Sequence, residues 1–187
     1  MIEPVTIAAF AGSLRAASYN RRLLAAAVSL APPDVRIETI DIAQIPLYSE
    51  DLDAPTPPAA VATLRETIAR CAALLVVTPE YNFSMSGVTK NVIDWASRPP
   101  DDSCLEGKPL GIMGASQGGF GTVRAQIHLR DSAVFNNMFP LNDPLVHVSR
   151  AQDKFDDAGR LIDERVKSQV VALLEALAAW TRRLGSK

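Results

Sequence analysis

Short apolar runs, each about the length of a strand, alternate along this chain with longer segments whose apolar residues fall at helical spacing. Val5-Thr6-Ile7-Ala8-Ala9-Phe10 reads as a buried strand, followed by a helix over residues 20–30. Val35-Arg36-Ile37-Glu38-Thr39-Ile40 alternates apolar and polar residues, as a strand with one less buried face does. Ala73-Leu74-Leu75-Val76-Val77 is apolar without a break, which predicts a strand covered on both faces. Strands are also expected at Pro109 to Gly114 and at Leu145-Val146-His147-Val148. Between them, Val61, Leu64 and Ile68 mark a helix, and further helices are expected over residues 86–97 and about 119–138. In the last helix, Ile162, Val166, Val170, Leu173, Leu177, Trp180 and Leu184 form a stripe expected to lie on the sheet. The proline-rich residues 46–58 are expected to be loop.

Strand alternating with helix implies parallel strands joined by right-handed crossovers. The fold class expected is therefore α/β, a flavodoxin-like doubly wound five-stranded parallel sheet with helices on both faces. A length of 187 residues suits one domain, and no linker, repeat or low-complexity tail divides it. With 19 Lys plus Arg against 21 Asp plus Glu, the chain lacks the basic surface that nucleic acid or an anionic membrane attracts. Cys71 and Cys104 are too few for a disulfide framework and lack metal-ligand spacing, so they read as reduced thiols. The start, Met1-Ile2-Glu3-Pro4, has no basic n-region, and no apolar stretch is long enough to span a bilayer. A cytoplasmic protein is the expectation.

Ligands of such sheets sit at the carboxyl ends of the strands, so the loops that follow strands carry the chemistry. After the first strand comes Gly12-Ser13-Leu14-Arg15-Ala16-Ala17-Ser18-Tyr19-Asn20. Gly12 permits a sharp exit, Ser13 and Ser18 offer hydroxyls, and Arg15 offers a planar fork for phosphate. Asn20 is placed to cap the helix, whose free amides favour an anion. Neither the dinucleotide G-x-G-x-x-G nor a triphosphate-loop Gly-Lys-Ser/Thr is present. The second loop, Thr78-Pro79-Glu80-Tyr81-Asn82-Phe83-Ser84, combines aromatics that pack on a flat ring with amides and Asn82 that bond its heteroatoms. The third, Gly114-Ala115-Ser116-Gln117-Gly118-Gly119-Phe120-Gly121, has backbone able to approach a ligand closely. All three converge on one sheet edge.

With these loops, and with Lys90-Asn91, Asp94-Trp95-Ala96-Ser97-Arg98-Pro99 and Phe155-Asp156 with Gly159, the chain resembles the NAD(P)H-dependent FMN reductase family. That family includes bacterial chromate and quinone reductases, and the likeness runs in order along nearly the whole chain. It implies bound FMN with its phosphate on Ser13, Arg15, Ser18 and Asn20, and its ring along Pro79, Glu80, Tyr81 and Asn82. Ser116, Gln117 and Gly118 would close the far side. It implies a homodimer or tetramer with its boundary at the helix over 86–97 and the one after Gly119. Electrons would pass from NADPH or NADH through the flavin to small acceptors: quinones, azo compounds, free flavin or chromate.

The flavin carries that chemistry, so no protein acid or base is required. His128 and His147 read as structural, and Glu80 as orienting its loop or touching the ring. Two other readings remain. A flavodoxin-type electron carrier would bind FMN without oxidising NAD(P)H directly. A hydrolase or transferase of a phosphorylated metabolite would need a nucleophile, and Ser116 lacks both the G-x-S-x-G elbow and a histidine partner.

Overall fold

A computed structural model describes residues 3–185, so Met1 and Ile2 of the amino-terminal reading lie outside the described residues. The central parallel sheet is built from β1 (Val5–Ala11), β2 (Val35–Thr39), β3 (Ala73–Val77) and β6 (Pro109–Ala115), in the order β2-β1-β3-β6. Register is parallel at each pairing, with Val5 opposite Val35, Ile7 opposite Ala73 and Leu74 opposite Leu110. The fifth position is shared by two short strands. β7 (Phe139–Pro140) pairs with the start of β6 and β8 (Val146–Val148) with its end. Pro140 has no amide hydrogen to extend a ladder, which suits it to an edge.

Both faces of the sheet are covered, which is why β3 is unbroken in apolarity. Ile7, Ala9, Leu75 and Val77 pack beneath α1 (Tyr19–Ser29) and α6 (Glu164–Gly185). Ala8, Phe10, Leu74, Val76 and Ile112 pack beneath α3 (Ala59–Arg70) and α4 (Gly87–Ala96). The remaining elements are α2 (Glu50–Asp53), α5 (Val123–Phe135), a hairpin of β4 (Glu80–Tyr81) and β5 (Ser84–Met85), and a 3-10 turn at Ala151–Asp153.

Four expectations shift. Residues 46–58 are not all loop, because α2 forms between the prolines with Glu50, Asp51 and Asp53 in its first turn, where a helix dipole favours acid. The stripe of α6 is rotated: Leu174, Ala178 and Thr181 are buried alongside Val166, Val170, Leu173 and Leu177, whereas Ile162 precedes the helix and is exposed. The helix expected from residue 119 begins at Val123, because Gly121 and Thr122 both have left-handed backbone (φ 58° and 72°) that cannot continue a helix. The last strand begins at Val146, one residue later than expected.

Candidate functional site

The first three loops after β1, β3 and β6 meet around a cavity of about 330 Å³. Ser18, not Asn20, caps α1: its Oγ accepts from the amides of Asn20 (3.2 Å) and Arg21 (3.4 Å). Asn20 is already inside the helix, and its buried amide is consumed elsewhere. Its Nδ2 donates to the Ala115 carbonyl and its Oδ1 accepts from the Ala115 amide, both at 2.9 Å. That pair fixes the first turn of α1 to the end of β6, two elements far apart in sequence. Arg15 lines the cavity, is exposed, and has no ion-pair partner among the described residues.

Beneath the first loop the backbone is locked by hydroxyls. Ser86 Oγ donates to the Gly12 carbonyl (2.7 Å), meets Thr89 Oγ1 at 2.8 Å, and Thr89 in turn meets Thr78 Oγ1 at 3.3 Å. A Cβ on Gly12 would stand 1.8 Å from Thr89 Oγ1, so the glycine is there for proximity. Gly114 is as confined: a Cβ would lie 2.3 Å from the Thr78 carbonyl oxygen and 2.2 Å from Thr122 Oγ1. The end of β6 and the loop after β3 therefore meet through backbone, while the loop after β1 is held by the hydroxyls of Ser86 and Thr89.

The second bank carries Pro79, Glu80 and Tyr81. Glu80 serves as the cap that α5 lacks. Thr122 gives that helix no side-chain cap, and Glu80 Oε2 accepts instead from the amides of Arg124 (2.9 Å) and Ala125 (3.3 Å). A carboxylate at a helix amino terminus is favoured by the dipole as well. Asn82 and Phe83 form the two-residue turn of the β4–β5 hairpin, both with left-handed backbone (φ 50° and 62°), the pattern of a type I′ turn. His128 Nδ1 and Ser84 Oγ, 2.9 Å apart, tie this hairpin to α5.

Ser116, Gln117 and Gly118 complete the wall, with Phe120 beside them. The Gly118 amide donates to Ser116 Oγ (3.2 Å), while the Ser116 amide donates to the Val148 carbonyl (2.9 Å). His147, on β8 behind this loop, has its pKa pushed down by burial and by the positive charge of Arg130.

Nine of the eleven residues singled out from sequence line this one cavity. Ser13 does not: it is buried, and lines a separate cleft with Arg21 and Asp41. Asn82 faces a shallow outer cleft with Glu80 and Phe83. Sequence reasoning missed Tyr19, Ala115 and Arg124. Tyr19 and Ala115 line the cavity, whereas Arg124 stacks against Phe83 and Phe120, its guanidinium carbon 4.0 and 4.4 Å from the ring centroids. Nothing in the local sequence distinguishes Arg124 from any arginine in a helix's first turn.

The model of the NADPH-dependent FMN reductase family matches residues 5–153. The chain is 50% identical over 184 residues to an NAD(P)H-dependent FMN reductase of Pseudomonas aeruginosa, covering 98% of this chain and 99% of that one. It is 41% identical to a 2-hydroxy-1,4-benzoquinone reductase of a Burkholderia species, over 94% of this chain and 96% of the relative. Among solved structures, the flavoenzyme NAD(P)H:(acceptor) oxidoreductase FerB of Paracoccus denitrificans superposes with a TM-score of 0.85 at 30% identity, covering 95% and 97% of the two chains.

Proposed function

The chain belongs to the NADPH-dependent FMN reductase family, and from that premise we propose that FMN occupies the cavity at the carboxyl ends of β1, β3 and β6. The protein is an NAD(P)H-dependent flavin oxidoreductase with quinones among its acceptors. The observation that carries the site assignment is Arg15, a guanidinium with no ion-pair partner among the described residues, lining the cavity beside the amino terminus of α1. A cation beside the positive end of a helix dipole suits a phosphate. Pro79, Glu80 and Tyr81 offer one wall to the flavin ring, and Ser116, Gln117 and Gly118 the other.

FMN, when bound, supplies the two-electron exchange between NAD(P)H plus a proton and the quinone, giving NAD(P)⁺ and hydroquinone. The chain's part is to hold and orient. Asn20 keeps the helix terminus against β6, and Glu80 keeps the β3 loop against α5. The electron-carrier alternative gives way, since the matched relatives are named as reductases.

The test is FMN titration of Arg15→Ala. Loss of a charged hydrogen-bond donor should weaken binding by about 1.5–3 kcal/mol. Unchanged affinity would remove Arg15 from the phosphate site. Anaerobic addition of NADPH or NADH to the FMN-loaded protein should bleach the flavin, and a flavin that stays oxidised would return the carrier reading.

The assembly we infer is a homodimer, able to pair further into a tetramer. Its support is the outer face of α5, where Ile127, Val134 and Phe135 are exposed, the last at 91%. The helix α4 offers less, presenting the Lys90–Asp94 ion pair to solvent. Sedimentation of the protein at micromolar concentration should give twice or four times the chain mass. Among the described residues no helix is long and apolar enough to cross a membrane, and cytoplasmic residence is part of this proposal.

A further inference from the structure

Tyr19 lines the cavity between two residues whose side chains are already engaged: Ser18 caps α1 and Asn20 crosses to β6. Among the described residues no hydrogen bond reaches the Tyr19 hydroxyl. Its ring, by contrast, is held from two directions in the sequence. Phe155, buried at 6%, lies 5.7 Å away between ring centroids, with the planes tilted by 38°. The Arg22 guanidinium carbon, from the next turn of α1, lies 5.4 Å from the Tyr19 centroid. Arg22 has no ion-pair partner among the described residues, so the aromatic ring is what engages its charge.

Both contacts trace to one turn near the other end of the chain. Phe155 and Leu161 close it by an antiparallel bridge, and Asp156 ties it internally. Asp156 Oδ1 accepts from the Arg160 amide at 2.8 Å, and Oδ2 from Arg160 Nε at 2.7 Å. Gly159, with φ 81°, lays the turn against Arg22, since a Cβ there would stand 3.1 Å from Arg22 Nε. Phe155, Asp156 and Gly159 thus share one task, which is to back the first turn of α1. Tyr19 opens that helix, where side chains tilt toward the amino terminus, the end that favours an anion. We propose that Tyr19 is a further FMN-binding residue, its hydroxyl donating to the phosphate. Arg22 and Phe155 are positioning residues that hold its ring in the cavity wall. The inference rests on the reading that FMN fills the cavity. A phenol fixed beforehand loses little freedom on taking a ligand, so the hydrogen bond keeps most of its worth.

The experiment titrates FMN, and riboflavin as its phosphate-free counterpart, into wild type, Tyr19→Phe, Phe155→Leu, Arg22→Lys and the double variants with Tyr19→Phe. Loss of a hydrogen bond to a charged group should weaken FMN about tenfold in Tyr19→Phe, and riboflavin by less than about twofold. The phosphorus-31 resonance of bound FMN should move in the same variant. Phe155→Leu should lower the FMN-to-riboflavin affinity ratio about threefold alone, and leave it unchanged where Tyr19 is already Phe. Arg22→Lys keeps the charge but loses the flat face, and should behave likewise; it decides the brace if Phe155→Leu folds poorly. FMN affinity in Tyr19→Phe within about twofold of wild type, an equal loss for riboflavin, or an unmoved phosphorus resonance would overturn this proposal alone. A fall in the ratio as large in the double variants as in the single ones would remove the positioning role. Wild-type protein that takes up no FMN would overturn the cavity reading and this inference with it.

Discussion

On the bank formed by the loop after β1, the contacts that tie the wall to the rest of the fold are buried: Ser86 and Thr89 hold Gly12, and Asn20 holds Ala115. On the opposite bank the fixing contacts are partly buried or exposed: Glu80 on the α5 amides, an arginine against two exposed rings, and a histidine on a serine. Buried polar contacts cost heavily when one partner is lost, whereas exposed ones cost little. The difference separates two tasks. With FMN seated as proposed, its phosphate would meet a wall that cannot give, and the acceptor side would meet a wall more open to single substitutions.

The comparison is broken most severely at Gly114. A methyl group there meets a backbone carbonyl oxygen at 2.3 Å, which no rotamer change relieves. Gly114→Ala should cost about 3 kcal/mol or more in urea unfolding, the upper range of overpacking. A stability within about 1 kcal/mol of wild type would mean that the end of β6 and the loop after β3 are not in backbone contact. Next is Asn20→Ala, which strands the buried amide and carbonyl of Ala115. It should destabilise by about 2–3 kcal/mol and weaken FMN uptake with it. On the opposite bank, Glu80→Gln keeps an acceptor for the α5 amides but removes the charge. A loss of about 0.5–1 kcal/mol is expected, and a loss as large as that of Asn20→Ala would erase the distinction between banks.

The smallest effect concerns His147. Its folded pKa lies below the ordinary 6.5, so the folded state prefers the neutral ring. Its contribution is complete above the unfolded pKa and disappears as pH falls through the folded one. Thermal scans should show a shallow decline below about pH 6.5 that His147→Asn flattens. A decline identical in the variant would assign it to other groups.

The central strands were legible because burial on both faces leaves a continuous apolar run, as in Ala73–Val77. The hairpin was not. Its strands are two residues long, and its turn places Phe83 where glycine is the usual signal. The capped start of α1 was legible by residue type, while the duties within it were exchanged: Ser18 caps and Asn20 crosses to β6. No local pattern announces a partner 95 positions away. Glu80 was singled out, but its duty as the cap of α5 escaped for the same reason, since that helix begins more than forty residues later. What is read well from sequence is what burial period and local turn chemistry determine, and what is missed is the pairing of distant loops.

The hydroxyl contacts among Ser86, Thr89 and Thr78 join the loops after β1 and β3 into one body. A ligand arriving there finds its seat already shaped, so association has no slow ordering step to wait for. FMN uptake by the apoprotein should then follow simple second-order kinetics, its observed rate rising linearly with concentration and not levelling off. The enzyme would recover from loss of its flavin at the pace of diffusion and orientation, without refolding any part of its mouth.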